Sequence, residues 1–180
     1  MATVMATGNA DMENAAVDLV NPRPDAKVLM IGCGPGVGVV AAARRASNGM
    51  VIGLDPSEVM VERTRARCRR ARVEHLTKVE RAAAELIPLP ERSQGAVVSV
   101  NNIQLWSDRA VGLDECVRVL VPGGVLVVLL HTWAMPGALP PEEWIAELTA
   151  ELSASGVIVE SSQIQRFRSG PAMVLAGRLA

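Results

Sequence analysis

Val28-Leu29-Met30-Ile31-Gly32-Cys33-Gly34-Pro35-Gly36-Val37-Gly38 is an apolar run that passes straight into a turn with glycine at every second position. The pattern describes a buried strand entering a tight turn and then a helix. Such a turn brings main-chain N–H groups and a helix N-terminus to a ligand, and only glycine leaves the approach clear of a Cβ. The spacing separates two ligand classes. A dinucleotide fingerprint needs G-x-G-x-x-G or A, and counted from Gly32 the sixth place is Val37. Gly32, Gly34 and Gly36 give G-x-G-x-G instead. A glycine-rich turn can also be purely structural, so its meaning depends on the residues downstream of it.

The next apolar run, Met50-Val51-Ile52-Gly53-Leu54, is closed by Asp55. A carboxylate there, about twenty residues beyond the glycine turn, can accept both hydroxyls of a ribose in a doubly wound sheet. Asp55-Pro56-Ser57 is also a good helix entry, and the two roles are compatible. Further on, Arg118 to Gly124 reads as a helix end and a proline-glycine turn, followed by the buried strand Val125 to Leu130.

Strands are expected over 27–31, 50–54, 78–82, 96–101 and 124–131, and helices over 11–20, 36–46, 57–74, 108–119 and 141–154. Gly156 to Phe167 and Ala172 to Arg178 read as two strands of a hairpin turning at Arg168-Ser169-Gly170-Pro171. Alternating strands and helices call for an α/β fold with a doubly wound, seven-stranded, mostly parallel Rossmann-like sheet. One C-terminal strand runs antiparallel and helices cover both faces. At 180 residues and 49% hydrophobic content the chain suits one buried core. The expected division is a leader segment over 1–24 and one domain over 25–180.

Composition narrows the function classes. A net charge of −1 leaves no footprint for nucleic acid or an acidic membrane surface. Three cysteines without paired spacing argue against a disulfide framework and a zinc site. No secretory pattern or membrane-length apolar run is present, so a cytoplasmic protein is expected. Arg63, Arg65, Arg67, Arg69, Arg70 and Arg72 crowd one helix. With one Phe and no Tyr to interleave, a solvated helix surface is the preferred reading over a nucleic-acid face.

Taken in order, these motifs resemble the class I S-adenosylmethionine-dependent methyltransferases, in particular a small-molecule, methyltransferase type 11-like branch. Val28 to Gly36 is similar to that family's first motif, and Gly53 to Ser57 to its second strand end. Ala84-Glu85-Leu86-Ile87-Pro88-Leu89-Pro90 is similar to its adenine-side loop, and Ala96 to Asn102 to its fourth strand. Arg118 to Gly124 matches its turn before strand five, and Met12 to Ala16 a leader helix of one subgroup. The family usually carries an acid where this chain has Met30, often Asp where it has Ala83, and commonly Phe-Asp where it has Gln94-Gly95.

The resemblance implies S-adenosyl-L-methionine as cofactor, held by Gly32, Cys33, Gly34, Gly36, Asp55, Pro56, Ser57, Met60, Ala84, Glu85 and Asn101. Asn102, Gln104, Trp106 and Trp133 are the candidate substrate-pocket residues. His131, after strand five, is the candidate general base, although a sulfonium leaving group lets positioning alone suffice. The implied activity is methyl transfer to a small-molecule acceptor at O, N or C, with no metal. Two alternatives stand beside it: a cofactor-binding but inactive homologue acting as a partner or regulatory subunit, and a nicotinamide-dependent oxidoreductase. Thr132 to Pro141 is too short for a cap domain, which raises the expectation of a homodimer that completes the pocket.

Overall fold

The computed structural model describes residues 9–137 and 139–180. Its elements are α1 (Ala10–Val20), β1 (Lys27–Ile31), α2 (Val37–Arg45), β2 (Met50–Asp55), α3 (Glu58–Ala71) and β3 (Thr77–Arg81). There follow β4 (Gln94–Val100), α4 (Arg109–Val119), β5 (Leu120–His131), α5 (Pro141–Ala154), β6 (Val157–Phe167) and β7 (Gly170–Leu179). The start of the expected leader segment, residues 1–8, lies outside the described residues. Its helix is α1.

The seven strands form one sheet in the order β3-β2-β1-β4-β5-β7-β6. β1 to β5 pair in parallel, and β7 runs antiparallel to both β5 and β6. The expected fold class is the one observed. Strand order reverses at β1, which lies between β2 and β4, so a crevice opens beyond the carboxyl ends of β1 and β4.

Burial on both faces explains the unbroken apolar runs of the central strands. Alternate residues serve opposite layers: Val28 and Met30 join the core beneath α1, α2 and α3, while Leu29 and Ile31 join the core beneath α4 and α5. Met12, Ala16 and Val17 of α1 are fully buried on the first layer, and Trp144, Leu148 and Leu152 of α5 on the second. β6 is an exposed edge strand, and its polar run Glu160 to Gln163 suits that place.

Among the boundaries that differ from expectation, three have an identifiable reason. β5 begins at Leu120, because Leu120 pairs with Gln94 and the register then shifts before Ala96. Pro122, Gly123 and Gly124 therefore form an irregularity inside the strand, with Gly123 at φ +76°, and not a turn ahead of it. α3 stops at Ala71 because Arg72 turns left-handed at φ 58°. β4 closes at Val100 for the same reason, with Asn101 at φ 53°.

Candidate active site

The crevice holds a cavity of about 390 Å³, the size of a small-ligand site. Its floor is the glycine turn, where three glycines have three different reasons for lacking a side chain. Gly32 sits at φ +60°, and a Cβ there would fall 2.4 Å from the Asn102 Cγ. Gly36, at φ +81°, lies against Thr64 of α3, 2.7 Å from its Cγ2. Gly34, at φ +50°, meets nothing nearer than 3.9 Å. Since Gly34 lines the cavity, its missing side chain leaves room for a ligand.

The turn is held from behind. Thr64 Oγ1 donates to Gly34 O at 2.6 Å, and Arg67 Nε donates to Pro35 O at 2.7 Å. Arg65 likewise donates to Val79 O, so part of the arginine-rich helix has a structural task. A second, larger groove of about 1160 Å³ runs open between α2 and α3 beside Arg44, Arg63 and Arg70. It mixes these with Glu58 and Glu62, and it lacks the Asp55 carboxylate and the Gly32–Gly34 backbone that line the crevice at the strand ends.

Asp55, only 7% exposed, ends β2 on the cavity wall. Its Oδ2 accepts the Gly34 N–H and its Oδ1 accepts the Ser57 N–H, both at 2.9 Å. One carboxylate thus fixes the glycine turn and the start of α3, and each oxygen keeps a lone pair for a ligand hydroxyl. Pro56, Ser57 and Met60 continue the wall, and Ala82, Ala83, Ala84 and Glu85 face them across the cavity. This second wall is strapped down by α4. Arg118 donates to Ile87 O and Leu89 O at 2.9 Å, while the Glu115 carboxylate accepts the Ile87 N–H at 2.8 Å. Arg118 beside Glu115 holds its carboxyl below the ordinary range. Glu85 turns its own carboxylate onto the Ser107 and Asp108 amides.

Asn101, Asn102 and Trp106 close the third side. Asn102 Nδ2 donates to Ile31 O at 2.7 Å and its Oδ1 accepts from Trp106 Nε1 at 2.7 Å, so the amide staples β1 to the Trp106 loop. Asn101 Oδ1 accepts the His131 N–H at 3.0 Å and lies 3.1 Å from His131 Nδ1.

Several expected residues are not brought to the wall. Cys33 points into the core, its N–H donates to Leu54 O, and burial pushes its thiol up to about 12. Gly36 is occupied by α3. His131 is fully buried, with Nε2 2.8 Å from Ser169 Oγ in the hairpin turn and Nδ1 against Asn101. Burial lowers its pKa, with Asp11 opposing, which favours the neutral ring. Trp133 stacks outside it at 5.0 Å and is 73% exposed. Gln104 donates to Asn101 O beside the site.

Other residues reach the wall that were not among the expected site residues: Asn9, Glu13, Pro35, Val37, Val100 and Leu105. Glu13 is the one with chemistry. Its burial pushes the carboxyl up to about 8. The family departures at Met30 and Ala83 were legible, but the buried carboxyl that α1 brings to the wall was not. Among the described residues no group of side chains could hold a metal, and no helix is long and apolar enough to cross a membrane.

The residues present fit an adenosyl sulfonium compound: a cavity-facing carboxylate at Asp55, a side-chain-free turn at Gly34, a thioether at Met60 and a carboxylate at Glu13. Comparisons with known proteins agree. Residues 28–124 match the model of the methyltransferase domain family. A probable S-adenosylmethionine-dependent methyltransferase of Mycolicibacterium smegmatis is 37% identical over 147 residues, covering 75% of this chain and 53% of that protein. The trans-aconitate 2-methyltransferase of Methylobacterium radiotolerans is 35% identical over 115 residues, 63% of this chain and 40% of its own. Among solved structures, the cyclase SpnF superposes with a TM-score of 0.81 at 18% identity, over 94% of this chain and 80% of its own, which speaks for the fold alone. The chain spans about a third to about two thirds of the length of curated relatives it matches. From strand β1 through the turn inside β5, sequence, fold and site coincide, and the chain belongs to the class I S-adenosylmethionine-dependent methyltransferase family.

Proposed function

We propose that the protein transfers a methyl group from S-adenosylmethionine to a small-molecule acceptor. The observation that carries this reading is the Asp55 carboxylate, which locks Gly34 and Ser57 in place while facing the cavity. The bound cofactor would supply an electrophilic methyl group on a sulfonium, leaving S-adenosylhomocysteine after transfer. Asp55 would accept the ribose hydroxyls, the Gly32–Gly34 backbone would lie along the amino-acid arm, and Met60 with Ala84 would enclose the adenine.

The acceptor would enter beside Leu105 and Trp106, past the ends of β4 and β5. Leu105 is largely exposed while lining the cavity, and so favours an acceptor with an apolar face. The described lining contains no histidine or lysine. Of its three carboxylates, Asp55 and Glu85 are engaged by amides and Glu13 would face the cofactor, so the acceptor would bring its own nucleophilicity and the site would supply position and dryness. His131 would act behind the wall, orienting Asn101. A second subunit would cover the open mouth.

Calorimetric titration with S-adenosylmethionine, S-adenosylhomocysteine and NADH tests the cofactor. Micromolar binding of the first two, lost in Asp55→Ala, is the expected result, with product formation in an acceptor screen as the second step. Binding without turnover on any acceptor would favour the inactive-homologue reading, which the methionine at strand position 30 supports. Tight NADH binding alone would overturn both.

A further inference from the structure

We propose that Glu13 of α1 supplies the negative charge that faces the cationic arm of the bound cofactor, a task that no strand residue of the glycine motif can perform here. The inference rests on the methyl-transfer reading above. Its starting point is a steric coincidence at Gly38, in the first turn of α2. A Cβ on Gly38 would lie 2.2 Å from Glu13 Oε2 and 2.6 Å from Met30 Cε. The tips of both side chains therefore converge on one spot above the start of α2, and among the described residues the charge there comes from a different element, α1. Glycine at 38 is what admits the carboxylate.

Glu13 is 9% exposed and lines the cavity. Among the described residues no side chain or backbone amide donates to its carboxylate. A buried acid without a donor is costly unless something else balances it. The described residues around it do not. Met30 and the first turn of α2 are uncharged. Across the glycine turn stand the Cys33 thiol, which Glu13 itself helps to hold protonated, and the Asp55 carboxylate. Asp11, two residues earlier on α1, is engaged by the Arg168 amide and faces neutral His131, and Arg67 of α3 is engaged with Pro35 O. The carboxyl accordingly sits at about 8 in the ligand-free protein.

A ligand carrying a sulfonium and an ammonium group reverses that balance. Binding the cation favours the ionised carboxylate, and the proton leaves to solvent. Affinity for the cofactor then rises with pH toward about 8.

The test is calorimetry of the full chain with two ligands, S-adenosylmethionine and 5′-methylthioadenosine, which shares the nucleoside and lacks both cations. In wild type at about pH 7, titrations in buffers of different ionisation enthalpy should show release of close to one proton per S-adenosylmethionine and almost none per methylthioadenosine. E13Q, which keeps the shape of the protonated acid, should lose roughly tenfold or more in S-adenosylmethionine affinity together with the proton release. Its methylthioadenosine affinity should change less than about twofold. Equal losses for both ligands would mean a packing role for Glu13 and overturn the proposal, as would unchanged S-adenosylmethionine binding. Both results leave the methyl-transfer reading standing. Failure of the wild-type chain to bind either ligand would overturn that reading and this proposal together.

Discussion

Asp55 organises the glycine turn before any ligand arrives, and that double duty sets what its removal does. Asp55→Ala leaves the Gly34 and Ser57 N–H groups without their acceptor and removes the proposed ribose partner. It should cost about 1–3 kcal/mol in urea unfolding and abolish cofactor binding by calorimetry. Gly34→Ala separates the two effects. The left-handed φ makes alanine cost roughly 1–2 kcal/mol, while the new methyl fills ligand space, so binding should fall by far more than stability. For Glu13 the sign runs the other way. A carboxyl raised from 4.5 to about 8 binds more protons folded than unfolded, so the ligand-free protein loses stability as pH rises across that window. The loss is bounded by roughly 5 kcal/mol, and E13Q should flatten the pH profile of unfolding between those limits. Asp55 and Gly34 were readable because their signal is local. Glu13 was not, because nothing in the spacing from Glu13 to Gly38 shows that α1 folds onto α2.

Elements were legible wherever burial imposed a pattern. β1, α5 and the expected hairpin follow the sequence closely, since apolar runs, Pro141 and the Arg168-Ser169 turn each leave one economical solution. Legibility failed where a single backbone angle decided the outcome, as at Asn101 and Arg72, or where pairing absorbed a turn, as at Gly123 within β5. The strap from α4 also escaped notice, because Arg118 reads in sequence as the end of a helix and acts on a loop some thirty residues earlier. Arg118→Ala should cost about 1–3 kcal/mol and weaken cofactor binding several-fold by loosening the Ala82–Glu85 wall. Hydrogen exchange at Ile87 and Leu89 should rise before that of β4.

Across the whole molecule the two apolar layers are unequal partners of the site. The layer under α4 and α5 supports the wall of the Ala82–Glu85 loop, and the layer under α1 supports Glu13. Met12, fully buried in the layer beneath α1, links that layer to the Asn101 wall of the cavity, since its Sδ lies 3.7 Å from Asn101 Nδ2. Met12→Ala should cost about 2–5 kcal/mol in denaturant unfolding, and α1 should exchange its amides well ahead of the sheet. The Ser169–His131–Asn101 chain adds a second tie, from the hairpin tip to the cavity wall.

Three tryptophans without a tyrosine give the molecule a simple optical signature. Trp144 lies in the core beneath the Arg109 guanidinium, Trp133 stands in solvent on the His131 ring, and Trp106 forms part of the cavity wall. Their emission should therefore separate into a blue, a red and a ligand-sensitive component. Replacing Trp133 and Trp144 by phenylalanine would leave one indole whose quenching follows occupancy directly, so that the protein carries its own reporter dye.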